Sequence, residues 1–78
     1  MIASLTGTVT RILFDSVIID VSGVGYRVFA TPGTLANLTC GSTETLLTEL
    51  VVREDDLTLY GFVDGNEQDL FILSLIHI

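Results

Sequence analysis

The chain has 78 residues, enough for one small domain and no second core. Ten carboxylates face three arginines, Arg11, Arg27 and Arg53; there is no lysine, and the net charge is −7. That balance repels phosphate and excludes a freestanding nucleic-acid binder that works through its own basic stripe. If such a domain meets DNA, other segments must supply the attraction.

Hydrophobic residues make up 49% of the chain, which is rich for its size. A domain this small buries only about 60–65% of the surface its unfolded chain exposes. Part of the apolar surface is therefore expected to meet another chain or a further part of the same one. The lone Cys40 excludes an internal disulfide and, with His77 distant in sequence, gives no zinc site. The first seven residues lack a basic region and a long apolar stretch, so they do not read as a signal peptide. The apolar run around Leu70–Ile78 is about half the length of a membrane span. Asn37-Leu38-Thr39 matches a glycosylation acceptor, but without a secretory signal it reads as chance. These features point to a cytoplasmic protein.

Short apolar or alternating runs, separated by turn residues, predict an antiparallel barrel or sandwich. The first run, Ile2–Leu13, is interrupted by Gly7, where a strand is expected to bend or bulge. Phe14-Asp15-Ser16 predicts a turn into the β-branched run Val17–Val21. Ser22-Gly23-Val24-Gly25 predicts a second turn, and Tyr26–Ala30 then alternates as a half-buried strand. Thr31 suits a helix cap and Pro32 a first helical position, so Thr34–Leu38 predicts one short helical turn. Cys40-Gly41-Ser42 closes that connection. Thr45–Val52 reads as a fourth strand, with Leu46, Leu50 and Val52 on one face and Leu47 and Val51 on the other. Leu57–Val63 reads as a fifth, and the tail from Asp64 as a helix with Glu67 completing a capping box and Leu70, Phe71 and Leu75 on one face. Five strands with a small helix between the third and fourth is the order of a mainly β OB-fold barrel. The expected division is a barrel over 1–63 and the start of a helical domain over 64–78.

Few segments could carry chemistry. Gly23-Val24-Gly25 joins two strands, and no Gly-Lys-Ser/Thr follows, so it reads as a hairpin and not as a phosphate cradle. No nucleotide site or other cofactor site is expected. Arg53-Glu54-Asp55-Asp56 places three consecutive carboxylates between two strands, where they project from a hairpin tip. Composition alone makes this a solvated turn; catalysis would need further groups converging on it, and none are in view. Tyr60 and Phe62 share a strand face where OB-folds stack bases, but without lysine, core or interface packing is the better reading.

The order of these motifs resembles one family. Met1-Ile2-Ala3-Ser4-Leu5-Thr6-Gly7, Val24-Gly25-Tyr26-Arg27-Val28, Val51-Val52-Arg53-Glu54-Asp55 with Leu59-Tyr60-Gly61-Phe62, and Asp69-Leu70-Phe71 are similar, in that order, to the amino-terminal domain of RuvA subunits. The Val-Val-Arg-Glu-Asp and Leu-Tyr-Gly-Phe pair is the most specific part. The resemblance implies a non-catalytic, homotetrameric subunit that binds four-way (Holliday) junction DNA in recombination and repair. The ATPase RuvB would be its partner and would use the ATP. It also implies that DNA is gripped mainly by helix-hairpin-helix motifs in a second domain. The barrel would build the tetramer and present an acidic pin, whose two acids fall on Glu54 and Asp55, with Asp56 extending the run. Arg53 beside them reads either as a phosphate contact or as half of a strand-end salt bridge.

Two departures from the family stand out. Positions 4 and 6 are Ser and Thr where basic side chains are frequent. Ser74-Leu75-Ile76-His77-Ile78 also replaces the expected continuation into a glycine-containing hairpin, so a cut-short subunit is the expectation. Two other readings compete: a generic OB-fold module for single-stranded nucleic acid, and a fragment that only oligomerises.

Overall fold

The computed structural model describes residues 4–62. In chain order it contains β1 (Ser4–Ile12), β2 (Ser16–Val21), β3 (Val24–Phe29), the short helix α1 (Pro32–Ala36), β4 (Thr43–Val52) and β5 (Leu57–Phe62). The strands close into a barrel in the order β1-β2-β3-β5-β4. Pairing is antiparallel except at the β3–β5 seam, which is parallel and consists of Val28 opposite Leu59 and Phe29 opposite Tyr60. This is the expected five-stranded OB-like barrel. The expected carboxy-terminal helix from Asp64 lies outside the described residues.

Alternation builds the interior. Val9, Val17, Ile19 and Val28 are fully buried and Leu46 almost so, one row from each of four strands. β5 adds Leu59, and the connection after β3 adds Leu35 and Leu38, so the helical turn caps the core. Its start is as the residues dictate: Thr31 has extended backbone, its hydroxyl accepts from the Thr34 amide, and Pro32 occupies the first turn. The β2–β3 hairpin turns on two residues, Ser22 (φ 53°) and Gly23 (φ 91°), both left-handed as a type I′ turn demands. Asp20 Oδ1 accepts from the Gly23 amide at 2.8 Å and closes that turn.

Four expectations are corrected. β1 runs unbroken through Gly7, which pairs with Glu44 on β4; the bulge lies instead between Val9 and Arg11, in the pairing with β2. Gly7 is required by a close approach of the β2 backbone and not by a bend. Ser16 belongs to β2, since it pairs with Phe29, and Val24 and Gly25 belong to β3 because the turn needs only two residues. Finally, β4 starts at Thr43, where two polar residues pair with Thr8 and Gly7 before the apolar pattern begins.

Candidate functional site

The β4–β5 hairpin carries the acidic run. Val52 pairs with Leu57, and the Arg53 amide donates to the Asp56 carbonyl at 2.9 Å, which leaves Glu54 and Asp55 as the two tip residues. Neither has a left-handed backbone, unlike the tip of the β2–β3 hairpin. All four residues from Arg53 to Asp56 are exposed. The three acids are not equivalent. Thr58 Oγ1 donates to Asp56 Oδ1 at 3.2 Å, tying that carboxylate to the strand. Glu54 and Asp55 make no hydrogen bond or ion pair among the described residues and project into solvent.

The carboxylates do not converge on a cation: among the described residues no group of His, Cys, Asp and Glu could hold a metal ion. Directly beneath the tip lies an apolar pair, Val52 and Leu57, each 68% exposed. Arg53 makes no ion pair among the described residues, so the strand-end salt bridge considered for it is not formed there.

A second cluster sits at the β1–β2 turn. The Arg27 guanidinium lies 4.9 Å above the Phe29 ring; its Nε donates to Ser16 Oγ at 3.0 Å, and its terminal nitrogen is 3.5 Å from Asp15. Phe29 in turn meets Tyr60 with ring centroids 6.3 Å apart and planes tilted by 48°. Beside these rings is an apolar cavity of about 340 Å³ lined by Phe29, Ala30, Tyr60 and Phe62, with Asp15 and Thr31 at its polar edge. Base stacking on Tyr60 and Phe62 would need both rings exposed beside a basic groove. Phe62 is buried and Tyr60 half-buried, so packing is their role in the barrel.

The family described as RuvA N terminal domain matches residues 1–61. The chain belongs to the RuvA N-terminal domain family. It is 55% identical over 75 residues to the Holliday junction branch migration complex subunit RuvA of Mycobacterium ulcerans (strain Agy99), and equally to that of Mycobacterium marinum (strain ATCC BAA-535 / M). The corresponding subunit of Mycolicibacterium smegmatis is 53% identical. Each comparison covers 96% of this chain but 38% of the relative, so the chain spans well under half the length of these RuvA subunits.

Within this RuvA-type barrel, sequence reasoning located the acidic run but not the inequality of its acids. It also missed the Asp15–Ser16–Arg27–Phe29 cluster, whose members come from two strands and a turn. The signal available was the alternation of Arg27 and Phe29 on one face of β3. Cys40 is exposed, and Asn37 caps α1, its amide donating to the Gly33 carbonyl. Among the described residues no helix is long and apolar enough to cross a membrane.

Proposed function

We propose that this barrel serves a non-catalytic subunit that binds four-way (Holliday) junction DNA. The subunit works in the cytoplasm with the ATPase RuvB, in branch migration during recombination and repair. The barrel's share is assembly of a homotetramer and presentation of an acidic pin formed by Glu54 and Asp55. ATP is consumed by RuvB, and the barrel itself uses no cofactor. In the full-length subunit, helix-hairpin-helix motifs of a second domain hold the DNA.

The observation that carries this reading is the exposed pair of tip carboxylates, without partners among the described residues, on a hairpin of a RuvA-family barrel. A carboxylate about 8 Å from a phosphate repels it by roughly 0.5 kcal/mol in water, and by more at lower dielectric. Fourfold clustering multiplies that effect at the centre of a tetramer. Unbroken duplex is thereby kept off the centre, while an open junction, whose strands part there, is accepted. The exposed Val52 and Leu57 beneath the tip support the assembly part, since burying them between copies removes apolar surface from water. Arg53, next to the pin, is the phosphate contact at its flank.

The test joins residues 1–73 to the part of the Mycolicibacterium smegmatis relative that follows the matched segment. Binding to a four-way junction and to linear duplex is then compared for the parent and a Glu54→Gln, Asp55→Asn variant. Duplex binding should tighten by at least about fivefold, the value for the two repulsions of one subunit, and junction preference should shrink. An unchanged junction-to-duplex ratio sinks the pin.

A further inference from the structure

The bulge in β1 decides where Arg11 points. Along β1 the inward row is Leu5, Gly7 and Val9, so strict alternation would turn Arg11 into the apolar interior. The register shift between Val9 and Arg11 absorbs Thr10 as an extra residue, and Arg11 pairs with Ile18 on the outer face. Thr10 Oγ1 donates to the Ile18 carbonyl at 3.2 Å and fastens the bulge. The sheet irregularity thus delivers a cation to the surface.

The three arginines differ in their commitments. Arg27 is held by Ser16, Asp15 and the Phe29 ring. Arg53 stands next to three acids. Arg11 is exposed and makes no hydrogen bond or ion pair among the described residues. Its strand contains no carboxylate. The exposed side chains that share its outer face are hydroxyls: Ser4, Thr6 and Thr8 on β1, with Thr43 and Thr45 opposite them on β4. Two acids border this face. Asp20 lies across from Thr8, and its Oδ1 is engaged by the Gly23 amide. Glu49 on β4 is one outward position beyond Leu47, the partner of Ser4, and so at the end of the row away from Arg11.

A guanidinium beside a row of hydroxyls on an acid-free strand is the chemistry that receives a phosphodiester. Arginine offers charge and a donor fork, and Ser and Thr hydroxyls donate to neighbouring oxygens. We infer that Arg11 contacts a backbone phosphate of the bound DNA, with the hydroxyl row of β1 lying along the same backbone. This rests on the junction-binding reading above and adds to it the face of the barrel that meets the sugar-phosphate chain. The acid tip and the Arg11 face then divide the labour: one repels duplex from the centre, the other steadies an arm.

The experiment uses the same joined chain and measures junction and duplex affinity across a salt series. Arg11→Gln should lower the steepness of log affinity against log salt by about 0.9 for each Arg11 that meets a phosphate, and weaken both DNAs alike. Arg11→Lys should keep the parental slope. A parental slope and affinity in Arg11→Gln, with the parent binding junctions, overturns the Arg11 contact and leaves the junction reading standing. A parent that binds no junction overturns both.

Discussion

Gly7 on β1 faces the backbone carbonyl of Asp20 on β2 so closely that no Cβ atom fits between them, and Ile19 Cγ2 would lie 2.9 Å from such an atom. The obstacle is backbone inside a closed barrel, so neither strand can step aside without shifting its neighbours. Gly7→Ala should cost about 2–3 kcal/mol. Urea denaturation should show this as a lower midpoint with an unchanged slope; a midpoint within error of the parent would mean that the strands are free to separate here.

Ile19 is fully buried at the centre of β2 and belongs to the barrel's apolar core. Ile19→Val should cost about 1 kcal/mol and Ile19→Ala about 3 kcal/mol, because the second change leaves a cavity. A domain of this size has little stability to spare, so the alanine variant should be largely unfolded at moderate urea while the valine variant is not.

The Asp15–Ser16–Arg27 cluster separates charge from hydrogen bonding. The Arg27–Asp15 pair is about half exposed on both sides, so Asp15→Asn should change stability by less than about 0.5 kcal/mol. Ser16 is fully buried, and its hydroxyl both accepts from Arg27 Nε and donates to Asp15 Oδ1. Ser16→Ala should therefore cost about 1–2 kcal/mol. Thermal melts of the two variants, side by side, check the order; Asp15→Asn proving the worse would invert this account.

Thr31 holds the start of α1 through its hydroxyl. Thr31→Ala should lower stability by about 1 kcal/mol, and Thr31→Ser should restore most of it. Equal losses in the two variants would show that the threonine methyl, not the cap, is what counts.

What could be read from the residues was whatever is local. A turn after Val21 follows from Ser22-Gly23, though not its two-residue length, the cap follows from Thr31-Pro32, and β2 from a β-branched run. What escaped depends on a partner strand. A glycine in an alternating run draws attention as a bend, yet Gly7 answers to the Asp20 carbonyl, which is 13 positions away. The true bulge falls on Thr10, an ordinary strand residue, and only the pairing with Ile18 and Ile19 reveals it. Thr48, fully buried on the inner face of β4 between Leu46 and Leu50, likewise reads as polar until the barrel closes around it. The acid run was visible as composition; that Asp56 is restrained while Glu54 and Asp55 stand free of partners among the described residues needed the position of Thr58.

The parallel seam also sets the order in which the barrel comes together and comes apart. Its antiparallel neighbours β2–β3 and β4–β5 are hairpins that can form early, because their turns keep the partners close. The seam instead joins Val28 to Leu59, 31 positions later, through two residue pairs. The β1–β4 pairing closes a longer stretch still, but through five residue pairs, so the two-pair seam is the weaker join. The β3–β5 edge is therefore the first to part, and the amides along it should exchange with solvent ahead of those in β1–β2.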